Sequence, residues 1–206
     1  MVSIRDLLKE YGKPYSEILG INLRSRKNSE IVKWFLASLL YAKPIQESCA
    51  TRTYREFERR RVVTAKKIVD TGWDDLVEIL DAGSYTRYDF STATKLLSVF
   101  SALLKKYRGN LNVLYQRSSD SQDIEKRLMG LGKGIGPATV SIFLRDMQKT
   151  WRRAEPKPTP LMRIAMKKLG IKDIRSFTKK NKLDIVRLET ALFRYGKELR
   201  SKKRKK

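Results

Sequence analysis

Apolar residues recur at helical spacing along nearly the whole chain, and glycines and prolines fall where such helices have to begin or stop. No strand signal competes with this pattern. Ile4, Leu7, Leu8 and Tyr11 mark one face of a first helix, with Ser3 as N-cap and Gly12 as terminator. Ser29 can cap a second over 30–42. Its Ile31, Val32, Trp34, Phe35, Leu36, Leu39 and Leu40 cover so much of the circumference that it is expected to be central. Pro44 suits the first turn of a third helix reaching Arg60. Further helices are predicted over 64–71, 74–82, 89–107, 121–130, 137–148, 161–169 and 183–195, with Gly72, Gly83, Gly109, Gly170 and Gly196 among their stops. Residues 149–160 carry Pro156, Pro158 and Pro160 and read as a stiff linker, while the basic tail 197–206 is expected to fray. Roughly ten helices with short connections predict an all-α fold.

Charge narrows the partner. There are 46 Lys and Arg against 22 Asp and Glu, a formal net charge of +24. The tail 197–206 holds seven basic residues and one acid, so most of the excess lies in the body. A folded body so unbalanced repels itself unless a polyanion shares its surface, and phosphate backbones are the commonest such partner. With no histidine and a single cysteine, Cys49, the chain has no means to build zinc fingers, four-cysteine iron-sulfur ligation, an internal disulfide or histidine acid-base catalysis. Chemistry is left to carboxylate, lysine, tyrosine, serine or threonine. One cysteine fits a reducing compartment. The N-terminus lacks the apolar run of a signal peptide, and the most apolar stretch, 31–42, is interrupted by Lys33 and too short to span a bilayer. An intracellular protein without a membrane partner is expected.

The most informative stretch is DIEKRLMGLGKGIGPATVSIFLRDM, 123–147, in which a helix, a turn and a second helix follow within 25 residues. The turn is Leu131, Gly132, Lys133, Gly134, Ile135 and Gly136. Its glycines let the backbone turn tightly and approach a ligand without a Cβ in the way. The helix that follows starts with free N–H groups whose dipole favours an anion the size of a phosphate. Lys133 and the Thr139 hydroxyl can add contacts. Such contacts position a protein on a duplex without reading its sequence.

LGKGIGPATVSIF resembles the hairpin and following helix of the helix-hairpin-helix DNA glycosylases of the endonuclease III type. WFLASLLYAKPIQ is similar to the family's buried helix and damage-contacting loop, GSYTRYDFSTATKLL to the helix entry before the hairpin, and LETALFRYGKELR to its final helix. The resemblance implies two helical lobes with a DNA groove between them. One lobe is expected from 30–136, ending in the hairpin. The other is expected from 1–29 with 137–206, including the basic tail 197–206. It also implies a monomer that extrudes and excises a damaged base from duplex DNA. The loops that would supply wedge and base pocket carry Lys43, Gln46, Tyr85, Arg87 and Tyr88.

The sequence departs from that family at three places. Ala138 stands where bifunctional members carry the Schiff-base lysine, which implies a monofunctional enzyme. Aligning Thr159 and Arg163 with the family pattern puts Pro158 where the catalytic aspartate belongs. Glu155 lies three residues earlier and is the first candidate for a displaced carboxylate, with Asp146 as second. The family's cysteine cluster is absent, so no iron-sulfur cluster is expected. No other cofactor is expected beyond a monovalent cation at the hairpin carbonyls. Two other readings stand beside the enzyme: a non-catalytic DNA-binding protein that kept the fold and lost the aspartate, and an RNA-binding accessory factor, which rests on charge alone.

Overall fold

The computed structural model describes residues 3–204. Among them are twelve α-helices and no strand, in the order α1 (Ile4–Tyr11), α2 (Tyr15–Ile18), α3 (Asn28–Tyr41), α4 (Glu47–Arg59), α5 (Ala65–Ala82), α6 (Asp89–Tyr107), α7 (Leu111–Gln116), α8 (Ser121–Met129), α9 (Pro137–Met147), α10 (Pro160–Leu169), α11 (Ile174–Asn181) and α12 (Ile185–Arg204). The fold is all-α. Several helices start where a side chain satisfies one of the first free N–H groups: Ser3, Thr64, Asp120, Thr159 and Asp173 each accept from the backbone N–H three residues further on.

α3 is the central helix. Every residue from Ile31 to Leu40 except Lys33 is buried, and the Trp34 indole donates to the Phe143 carbonyl of α9 at 3.0 Å. Around it a large core gathers α4 to α9 with Trp151 and Ala154 from the start of the linker. A smaller core joins Leu7 of α1 to Met162, Ala165 and Met166 of α10, Ile174 of α11, and Leu188, Ala191, Leu192 and Tyr195 of α12. The two cores divide the chain differently from the boundaries expected above. Residues 3–29 are shared between them, because Tyr15, Leu19, Ile21 and Leu23 pack in the larger one, and so do Val140, Ile142, Phe143, Leu144 and Met147 of α9.

Three helices were not expected, α2, α7 and α11, and several boundaries move: α3 starts at Asn28 after Lys27, so Ser29 lies inside it and does not cap it. α4 begins at Glu47, with Pro44 and Ile45 outside it. α12 runs through Gly196 to Arg204, so the described part of the basic tail is helical where fraying was expected. Gly196 is there for approach and not for termination: a Cβ on it would lie 1.9 Å from the Leu161 carbonyl oxygen, where α10 crosses α12. Gly72 does break its helix, with φ 79° and ψ 175° inside α5.

Candidate functional site

The hairpin turn is built by what its side chains bury. Leu131 and Ile135 point into the core at 1% and 6% exposure, and Thr139 is buried as well. Lys133 and Gly134 are left outside. A Cβ on Gly132 would meet Val99 Cγ2 of α6 at 2.8 Å, so only glycine lets the turn sit on that helix. Gly134 has φ +90°, a conformation that glycine alone adopts cheaply. The N–H groups of Leu131, Gly132 and Ile135 are used within the turn, on the carbonyls of Leu128, Met129 and Gly132. Those of Gly134, Gly136, Ala138 and Thr139 have no acceptor among the described residues, and α9 has neither a side-chain cap nor an acid in its first turn. Several free donors and an uncompensated helix N-terminus thus share one place.

Beneath the turn lies Lys95 of α6. It is 9% exposed, and its Cδ and Cε come within 3.6 and 3.8 Å of where a Cβ on Gly134 would stand. Burial, reinforced by the like charge of Lys43, lowers its pKa to about 8. Lys43 in turn places its ammonium 5.1 Å from the centre of the Tyr88 ring, and the Arg87 guanidinium lies 5.5 Å from the same ring. Three of the residues nominated for wedge and pocket, Lys43, Arg87 and Tyr88, are therefore neighbours, beside a buried lysine under the hairpin.

A cleft of ≈ 1090 Å³ opens next to the turn. Among the segments that border it are 41–47 between α3 and α4, the start of α9 with Pro137, Ala138 and Ser141, and the linker from Pro156 to Leu161. Ala138 and Pro158 thus face one cavity despite the 20 positions between them. At one wall Tyr15 stacks on Tyr41 with centroids 4.4 Å apart, and the Arg145 guanidinium lies 5.2 Å from the Tyr15 ring and 5.3 Å from Phe193. Arg145 is 2% exposed and its Nη2 has no hydrogen-bond partner. Burial holds the Tyr15 phenol well above its ordinary pKa, so it stays protonated.

Neither nominated carboxylate is in the cleft. Glu155 is exposed and pairs with Arg175 of α11 at 3.3 Å, while its backbone N–H and carbonyl engage the Ser121 hydroxyl of α8 at 3.2 Å. Asp146 is buried and structural: its Oδ2 accepts from the Ser16 N–H at 3.1 Å and the Ser16 hydroxyl at 2.8 Å, and its Oδ1 pairs with Arg145 Nε at 3.3 Å. Tyr85 also leaves the set of candidates. At 1% exposure, with its hydroxyl donating to the Leu40 carbonyl at 2.7 Å, it pins the 84–88 loop to the end of α3. Gln46 is exposed and borders the cleft, as does Lys43.

The acids that border the cleft are Glu47 and Glu125. Glu47 is held by Arg194 at 3.2 Å and Lys197 at 3.7 Å. Glu125, on α8 one turn before Met129, forms no ion pair among the described residues. Phe90, 59% exposed at the start of α6 and 5.2 Å from Trp73, is a further unforeseen feature. An apolar ring so exposed beside the 84–88 loop has the chemistry of a wedge between bases. Its signal was present in the sequence, two residues past the loop.

No protein-family model matches the chain, and neither a curated protein nor a solved structure matches it. Among the described residues no helix is long and apolar enough to cross a membrane.

Proposed function

We propose that the chain is a DNA glycosylase that holds duplex DNA on the turn 131–136, takes an extruded damaged nucleotide into the adjoining cleft, and hydrolyses its N-glycosyl bond. The observation that carries this reading is convergence. The loop with Lys43 and Gln46, the hairpin side with Ala138 and the linker with Pro158 were singled out by one family resemblance from three distant parts of the sequence, and all border one cleft. Its volume is comparable with the roughly 300–1,000 Å³ of small-molecule sites. The free N–H groups of Gly134, Gly136, Ala138 and Thr139 suit a backbone phosphate beside it.

With the Glu155 side chain held outside the cleft, the carboxylate best placed to stabilise an oxocarbenium-like sugar is Glu125, because Glu47 is already neutralised by Arg194 and Lys197. No amine stands at Ala138, and in this reading water, and not the lysines at the cleft border, is the acceptor. The C1′–N electron pair leaves with the base, the water oxygen bonds to C1′, and its proton passes to the carboxylate or to solvent. The product is an abasic site in an intact strand.

A panel of single-lesion duplexes, each incubated with the protein and then treated with hot alkali, tests this. Strand cleavage at the lesion only after alkali is the expected result, with little covalent adduct trapped by borohydride. A second reading, a DNA-binding protein without catalysis, is favoured by Pro158 in the cleft and Glu155 outside it. Retained duplex binding with no base released from any lesion would establish that reading instead.

A further inference from the structure

We propose that Arg145 reads the base in the cleft, so that the cleft accepts uncharged bases presenting carbonyl acceptors and rejects cationic alkylated bases. This rests on the reading that a nucleotide is extruded into the cleft. A guanidinium has five N–H donors, and a buried one left without an acceptor is costly unless a ligand completes it. Arg145 Nε is committed to Asp146 Oδ1, whereas Nη2 has no partner in the protein. The guanidinium lies over Tyr15 and Phe193, and all three residues border the cleft. Tyr41, stacked on Tyr15, extends that aromatic wall. A planar base entering here meets aromatic rings, beside which Arg145 holds one buried, uncommitted and permanently charged donor. The arrangement recognises an acceptor edge.

Charge sets the second half of the specificity. Lys43, Arg145, Lys157, Lys197 and Arg200 border the cleft against Glu47 and Glu125. Glu47 is matched by Arg194 and Lys197, and Asp146 by Arg145, which leaves Glu125 as the acid available to a cationic base among three positive charges, Lys43, Lys157 and Arg200, unmatched among the described residues. At the low effective dielectric of a cleft such like-charge contacts are repulsive beyond what one carboxylate offsets.

The test is equilibrium binding at fixed salt to duplexes that differ at one nucleotide: 8-oxoguanine, 7-methylguanine, a tetrahydrofuran abasic analogue and unmodified guanine. Both modified purines are similar in size, and only 7-methylguanine is cationic. Wild-type protein is expected to bind the 8-oxoguanine duplex about tenfold more tightly than the abasic duplex, as a charge-assisted hydrogen bond warrants. The 7-methylguanine duplex should bind no better than the unmodified one. Arg145→Lys keeps a cation beside Asp146 and removes Nη2, so the gap between 8-oxoguanine and abasic duplexes should shrink to less than about threefold. Equal binding of 8-oxoguanine and 7-methylguanine overturns the proposal, and this wild-type comparison decides it even if the variant fails to fold. A preference for the abasic duplex with no discrimination among bases overturns it while leaving nucleotide extrusion standing. No preference for any altered site over intact duplex overturns both.

Discussion

Raising the pH from 7 to 9 is expected to weaken duplex binding about tenfold, through Lys95. In the free protein its pKa is lowered to about 8 by burial and by Lys43, from an ordinary 10.5. A DNA phosphate at the turn supplies the counter-charge that Lys95 lacks and returns the pKa toward its ordinary value. At pH 7 roughly nine in ten free molecules already carry the charged lysine. At pH 9 only about one in ten does, so binding requires uptake of a proton, and the apparent affinity falls by close to a factor of ten, or about 1.4 kcal/mol. Folding stability moves the other way. The lowered pKa means that the native state bears the cost of a buried charge below about 8 and sheds it as the pH climbs toward 10.5. Weaker binding at pH 9 therefore does not reflect unfolding at this site. The assay is fluorescence anisotropy with a short labelled duplex at constant ionic strength. Lys95→Arg, which stays charged throughout this range, should flatten the profile. If wild type and Lys95→Arg share one pH dependence, no phosphate sits over Lys95.

Gly134→Val, at φ +90°, should strain the turn by about 1–2 kcal/mol and lower duplex affinity with helical circular dichroism retained, whereas Gly136→Ala, which has open space for its Cβ, should bind nearly as wild type. Asp146→Ala leaves the buried Arg145 without its anion and should cost about 3–5 kcal/mol in denaturant melts. Glu155→Gln, exposed beside Arg175, should change stability by less than about 0.5 kcal/mol and leave excision intact. Glu189 of α12 is pushed up to about 7 by burial, against Arg145, Gln148 and Arg175, which favour its charged form, with Asp146 adding to the rise. Because the folded pKa is raised, its stabilisation is present in full below about 4.5 and is lost as the pH rises through about 7; Glu189→Gln should remove that slope from melting temperatures.

The all-α character was legible because an apolar stripe at a period of 3.6 residues persists over windows long enough to be distinct, as in α3 and α6. α2, α7 and α11 were not legible for the complementary reason. They are four, six and eight residues long, and IRSFTKKN of α11 offers only Ile174 and Phe177 to define a face. The Asp173 cap to the Ser176 N–H was a signal that could have found it. Gly196 misled because a glycine that admits a crossing helix and one that ends a helix look the same in one dimension. The hairpin was local in sequence and came through intact. The cleft was not, since its acids, Glu47 and Glu125, and its buried donor, Arg145, sit on three helices that only packing brings together. Asp146 stood second among the catalytic candidates, whereas it is a buried structural acid whose partner Ser16 lies 130 residues away, and no local pattern joins them.

Placing 2-aminopurine at a lesion position in a duplex tests the central claim most directly, because its fluorescence rises when the base leaves the stack. Binding of wild-type protein should raise the signal. Ala138→Trp, which fills the cleft from its hairpin side, should bind duplex through the same turn and leave the signal low. An unchanged signal on saturation with wild type, or an equal rise with Ala138→Trp, would contradict entry of the base into this cleft.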